Sequence, residues 1–434
     1  MDKMADVLGR AGAWCGQNKY LSAIKNAFQN FMPLTIAGAI GVLWCNVLVN
    51  DQTGLGLFFK PIMALDFLNP AFQAVNFCTI SCITVGITLG IAQEIGVWNM
   101  GAERAGYIPG LVGLAAWLSV TNTSHMVEGA KEAFTGIAGN ELGATGLFTG
   151  MIIGVLSVEL FCFFEKQDAL KIKMPEQVPP GVARAFEVLV PATLTLIITA
   201  CIGSACYNLT GLYLNDVIKN GIQGPLGAVG ATIPGVMIIY LVIMLFWLVG
   251  IHGNNMLSAV KEALFTPLAL ENVEAFNKGE TPKNIINMYF LQMCGEFGGS
   301  GVTIGLVIAI MIFGKREDNK AIAGLSLVPG LFNINETVTF GIPMVLNPIL
   351  GIPFVFACLV TILVGYVLTV IGFCPVACLT VPWTTPPIVF GFLATGANIM
   401  GAVTQAILIV VSTVIYVPFL IAYEKYQNKQ AAEA

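Results

Sequence analysis

The chain has 434 residues, 56% of them hydrophobic and only 10% charged, with a mean hydropathy of +0.81. Soluble proteins carry about 25% charged residues, so the composition excludes a soluble domain and makes this an integral membrane protein. A net charge of −5 without a basic cluster excludes nucleic-acid binding, while long continuous apolar runs exclude a β-barrel in favour of an all-α, polytopic helical bundle.

Residues 1 to 27 hold Lys3, Arg10, Lys19 and Lys25 against Asp2 and Asp6. The stretch lacks the pattern of a cleavable leader and reads as a short amphipathic surface helix. Its Lys/Arg excess beside the first span predicts a cytoplasmic N-terminus. Phe28 to Val49 is the first span, followed by a turn-rich connection through Asn50, Asp51, Gln52, Thr53 and Gly54. Ala71 to Ala92 gives a second span and Ala105 to Val120 a shorter third. Their Gly86-x-x-x-Gly90 and Gly106-x-x-x-Gly110 spacings read as helix-packing contacts.

Residues 121 to 143 form a polar interruption with His125, Glu128, Lys131, Glu132, Asn140 and Glu141, after which Leu142 to Phe164 spans again. The connector from Glu165 to Pro180 carries Lys166, Lys171 and Lys173, which makes it a cytoplasmic loop and the expected hinge between two halves. Val188 to Leu214 is the fifth span. Asn215 to Gly230 is Gly-rich and expected in the interface. Thr232 to Gly250 spans again and runs straight into Ile251-His252-Gly253-Asn254-Asn255.

Residues 261 to 296 are polar. Gly298-Gly299-Ser300-Gly301 then opens a span ending at Lys315-Arg316-Glu317-Asp318. Ile322 to Phe332 is too short for the roughly 30 Å hydrocarbon core and reads as a re-entrant hairpin. The tail, 344 to 423, divides at Pro375, Pro382 and Pro386-Pro387 into about three segments. The expected total is about ten transmembrane helices with one or two hairpins. The cysteines stand singly, most within apolar runs, and with only two histidines they suggest neither a metal site nor a disulfide framework. They read as reduced, small apolar packers.

The sharpest candidates are Glu336 and His252. Glu336 is followed by no Asp, Glu, Lys, Arg or His until Glu424. A carboxylate at the edge of so apolar a region costs roughly 2.5–3.5 kcal/mol on insertion scales, so it must face a partner, a cavity or a bound polar molecule. His252 is the only titratable residue besides tyrosine between Lys219 and Lys261. Each stands where Gly or Asn breaks the helix, and broken backbone within a membrane is tolerated only in protein or beside a wet cavity. Each also has amide neighbours, Asn333 and Asn335 for the one, Asn254 and Asn255 for the other. Donors and acceptors mixed in this way suit sugar hydroxyls. Two other readings stay open. The pair could form a proton relay, or Glu336 could satisfy helix-end amides while His252 bonds a carbonyl.

Gly299 and Ser300 could cradle a ligand with backbone N–H groups at a helix start, although close helix packing explains the same glycines. Trp247 and Trp383 could stack on a sugar ring or anchor the membrane interface. Glu296 reads as a hairpin-end cap as readily as a site residue.

Asn333-Ile334-Asn335-Glu336, Phe340-Gly341-Ile342-Pro343 and Leu346-Asn347-Pro348 together resemble the central motif of the enzyme IIC membrane component of bacterial sugar phosphotransferase systems, in the lactose, cellobiose and diacetylchitobiose branch. Ile24-Lys25-Asn26 with Met32-Pro33-Leu34-Thr35, Leu142-Gly143-Ala144-Thr145-Gly146-Leu147-Phe148, Ile251-His252-Gly253 and the glycine turn extend the resemblance along nearly the whole chain. Thr337 departs from it, standing where proline is usual after Asn-Glu.

The resemblance implies a homodimer whose N-terminal half, residues 1–220, is the scaffold, with roughly the first five spans at the dimer contact. Residues 221–434 would carry two re-entrant hairpins around one sugar. Glu336 and His252 would lie beside the hydroxyl to be phosphorylated. Asn333, Asn335, Asn254, Asn255, Gly299, Ser300, Trp247, Trp383 and Asn140 would line the sugar. No metal or cofactor is implied. A cysteine-bearing IIB protein would phosphorylate the sugar on the cytoplasmic side. No IIB or IIA segment is recognisable here, so both are expected as separate polypeptides. The expected function is uptake of a β-linked disaccharide through the cell membrane. The alternative is a proton-coupled secondary sugar transporter using Glu336 and His252.

Overall fold

Lipid offers no hydrogen bonds to the backbone, so uncharged apolar runs satisfy their N–H and C=O groups internally and fold as helices. The computed structural model describes residues 10, 13–14, 17–51, 55–125, 134–175, 177–342 and 344–433. Lys3, Asp2, Asp6, Glu128, Lys131, Glu132 and Pro343 lie outside the described residues, as do Gln52, Thr53 and Gly54 of the first connection. Among the described residues the only β-structure is an antiparallel pair, Ser124–His125 against Phe134–Thr135.

Five helices are long and apolar enough to cross a membrane, or up to seven if each of two bent pairs counts as one span. Two shorter apolar helices accompany them. Many large side chains on these helices point outward, Ile197, Phe356, Val410 and Val414 among them. That is the expected exterior of a protein whose solvent is hydrocarbon, and the chain is a multi-pass membrane protein.

The chain divides into two compact units, residues 17–38 with 75–227, and residues 39–74 with 228–434. In the first unit, α1 (Lys19–Leu43), α2 (Ile83–Met100), α3 (Ile108–Val120), α4 (Ala144–Glu165) and α5 (Pro180–Thr210) form the bundle. Trp117 of α3, wholly buried, packs with Ala116, Val120 and Ile153 at its centre. A Cβ on Gly86 would sit 2.1 Å from the Phe31 ring, so that glycine does admit α1 against α2. Gly106 does something else. Its φ of +53° places it in the turn before α3, with nothing near its absent side chain. At the helix ends, buried Glu165 bonds Arg104 (2.8 Å) and Arg184 (3.0 Å), two cations answering one carboxylate withdrawn from water.

The second unit contains α6 (Ile233–Leu248), α7 (Gly253–Met256), α8 (Ser258–Asn277), α9 (Met288–Gly295), α10 (Ile304–Phe313), α11 (Glu317–Leu331), α12 (Glu336–Gly341), α13 (Gly351–Val370), α14 (Val389–Ala394) and α15 (Ile399–Glu433). The region 261–296, polar in sequence, resolves into α8 and α9. Nearly every side chain of α9 is buried in protein, which is why it could end at Glu296 without exposing that carboxylate to lipid. α9 and α10 form one of the bent pairs, with 59° between them across the glycine turn. The tail folds as two long helices, α13 and α15, around an irregular stretch that carries α14.

Candidate functional site

Gly250, at φ +80°, ends the run of α6, and the chain reverses into α7 with His252 at its first corner. The imidazole caps that short helix: its Nδ1 accepts the N–H of Asn255 at 3.2 Å. An acceptor nitrogen carries no proton, so in the neutral ring the proton sits on Nε2. Trp247, buried on the last turn of α6, packs against the imidazole with ring centroids 4.4 Å apart. His252 is thus fixed in both tautomer and orientation by residues within nine positions of it.

Glu336 begins α12. Its Oε1 faces Nε2 of His252 across 3.9 Å, too far for a direct hydrogen bond. Both side chains stay open, 48% and 39% exposed respectively. A donor and an acceptor therefore face one another across a gap that a hydroxyl group can bridge. Thr337 occupies the first turn of α12, where the backbone N–H has no helical partner. Proline and threonine fit such a position equally, so the departure from the usual motif does not disturb the local helix.

Between these two corners lies the glycine turn. Gly298, Gly299 and Gly301 have φ of +68°, +88° and +74°. Asn333, itself at φ +63°, accepts the Gly298 N–H at 2.6 Å and donates to the carbonyls of Trp383 and Thr385. Asn335 donates to the Ser300 carbonyl at 2.8 Å, and Asn254 to the Ser300 hydroxyl at 3.0 Å. The structure brings Trp247, His252, Asn254, Asn255, Gly299, Ser300, Asn333, Asn335, Glu336 and Trp383 into the second unit. Asn140 lies in the first unit, exposed on a single helical turn, Gly139–Leu142.

Not all of these residues do the same work. The side-chain amides of Asn333 and Asn335 are engaged in tying loops together, and Asn255 contributes its backbone N–H. Two groups remain buried without a hydrogen-bond partner, the Trp247 indole Nε1 and the Asn254 Oδ1. Sequence reasoning missed Lys261, which is buried and ion-paired to Glu296. The signal was there, since Lys261 is the first cation after a long stretch whose only other titratable non-tyrosine residue is His252. No group of three or more metal-ligating side chains occurs among the described residues.

The family model "Phosphotransferase system, EIIC" matches residues 25–358. The oligo-beta-mannoside-specific EIIC component of Bacillus subtilis (strain 168) is 34% identical over 98% of this chain and 94% of its own. The cellobiose-specific EIIC component of Lactococcus lactis subsp. lactis (strain IL1403) is 30% identical over 98% of both. The crystal structure of the transporter ChbC, the IIC component from an N,N'-diacetylchitobiose-specific phosphotransferase system, superposes with a TM-score of 0.88 at 29% identity over 97% of each chain. With its helical membrane fold and the carboxylate–imidazole pair beside a glycine turn, this chain belongs to the phosphotransferase system EIIC family of sugar permeases.

Proposed function

We propose that the chain carries a β-linked disaccharide of the cellobiose or diacetylchitobiose type across the cell membrane and presents one hydroxyl to a phosphorylated IIB partner. The observation that carries this reading is the 3.9 Å separation of His252 Nε2 and Glu336 Oε1. Their roles follow from the cap. With Nδ1 committed to Asn255, the Nε2–H of His252 donates to the sugar oxygen and orients it. Glu336 is the acceptor and takes the hydroxyl proton as the oxygen attacks phosphorus. The new O–P bond forms as the S–P bond to the IIB cysteine breaks, and the thiolate leaves. Trp383, 44% exposed, offers an aromatic wall.

Further elements of the reading rest on the sequence pattern and the family. The bent α9–α10 pair and the reversal between α11 and α12 serve as two re-entrant hairpins in a bundle of about ten spans. Residues 1–220 form the scaffold and dimer contact within the lipid, and residues 221–434 carry the transport site. The N-terminus faces the cytoplasm, where the IIB and IIA phosphotransferase proteins act. Family membership weighs against the proton-coupled alternative.

Calorimetry with a panel of β-disaccharides and monosaccharides tests the site. One disaccharide is expected to bind saturably, and Glu336→Gln and His252→Ala, folded by gel filtration, are expected to lose phosphorylation by ~10²-fold or more. Normal phosphorylation in both variants would remove the assigned roles.

A further inference from the structure

Away from the exposed pair, the second unit buries a charge cluster that the phosphorylation step does not use. Lys261, on the first turn of α8, is 6% exposed, and its ammonium pairs with Glu296 Oε1. The same oxygen accepts the hydroxyl of Tyr240, a wholly buried residue of α6, at 2.7 Å. The ammonium also lies 5.6 Å from the centre of the Tyr240 ring. Three elements therefore converge on one carboxylate oxygen.

A buried ammonium without its carboxylate is among the costliest arrangements a protein can hold, so the pair acts as a unit. Its placement gives the unit a purpose. Glu296 is the residue at which α9 becomes the glycine turn, and its carbonyl accepts the Gly299 N–H at 3.0 Å. That turn holds Asn333 and Asn335, three residues and one residue before Glu336, through Gly298 N–H and Ser300 O. Lys261 lies on the helix entered directly from α7, which His252 caps. Tyr240 belongs to the helix that carries Trp247. The pair joins the backbone bearing the imidazole to the backbone bearing the carboxylate.

We propose that Lys261 and Glu296 are positioning residues: their ion pair, braced by Tyr240, sets the separation of His252 and Glu336. Neither touches the reacting oxygen. The inference rests on the reading of His252 and Glu336 as the phosphoryl-acceptor site.

The test uses the full-length protein in lipid nanodiscs with Lys261→Met, Glu296→Gln and the charge exchange Lys261→Glu/Glu296→Lys. Labelling with 15N-histidine gives two ring environments, because the chain has two histidines, and His125→Gln assigns them. Glu296→Gln is expected to move the His252 resonances, and the exchange to restore them in part. In phosphoryl transfer from IIB, the single variants are expected to lose ~10-fold or more in kcat with sugar Kd changed less than about threefold.

Unmoved His252 resonances in a folded Glu296→Gln would overturn the proposal. So would a raised Kd with kcat spared, because that pattern marks Glu296 as a sugar ligand. A wild-type chain that transfers no phosphoryl group while the His252 resonances still follow Glu296 would remove the functional reading and leave the positioning pair standing.

Discussion

At the scale of single residues, the site depends on backbone that only glycine adopts without strain. Gly299 stands at φ +88°, and a Cβ there would lie 2.5 Å from the Cβ of Asn335. Gly299→Ala therefore meets both a conformational cost of about 1–3 kcal/mol and a displaced Asn335. The expected outcome is weaker disaccharide binding by calorimetry together with a lower unfolding temperature. The same scale shows what could be read in advance. Glu336 and His252 were legible because each is a lone titratable group in an apolar context, where the cost of burial itself demands an explanation. The asparagines were legible as neighbours but not in their tasks. Whether an amide meets a sugar or a carbonyl fifty residues away, as Asn333 does with Trp383, depends on which loops fold together. The Lys261–Glu296 pair escaped notice for that reason: Glu296 stood out singly and Lys261 did not, and only the fold joins them.

Among the elements, α15 organises the second unit. It packs against α10, α13 and α14, and its Gln405 accepts the N–H groups of Ile388 and Gly391, both at 2.7 Å, while donating to Met293 O at 3.1 Å. Near its end, buried Glu424 accepts the backbone N–H groups of Lys315 (2.9 Å) and Arg316 (3.3 Å) and the Asn319 amide (3.2 Å). Lys315 and Arg316 immediately precede α11, and the Asn319 amide is a side chain of its first turn. Glu424→Ala orphans them and is expected to destabilise by about 1–3 kcal/mol. Thermal unfolding in detergent measures this, and the sugar Kd is expected to stay unchanged. Helix existence followed from the apolar runs. α9 was harder to see, since residues 261–296 read together as polar, although α9 with α10 is apolar enough to form a bent span.

For the molecule as a whole, the chemistry imposes a direction that no static contact shows. If transfer to the sugar ends each passage, uptake into vesicles requires the soluble phosphoryl carriers. Sugar is expected to accumulate only as its phosphate when IIA, IIB and a phosphoryl donor are enclosed, and labelled disaccharide followed by chromatography measures it. Accumulation of unmodified sugar in their absence, abolished by a protonophore, would favour ion coupling instead.

The division of labour around the glycine turn has a consequence for how such permeases diversify. The amides of Asn333 and Asn335 hold loops, while Trp383 is exposed and its carbonyl, not its ring, ties down Asn333. On the proposed reading, specificity and architecture are written in different atoms. If Trp383 forms the sugar's wall as proposed, a lineage can change position 383, and with it the sugar it imports, while the loop that aligns donor and acceptor is inherited intact. Directed evolution toward a new saccharide has most freedom at that wall and least at the two asparagines.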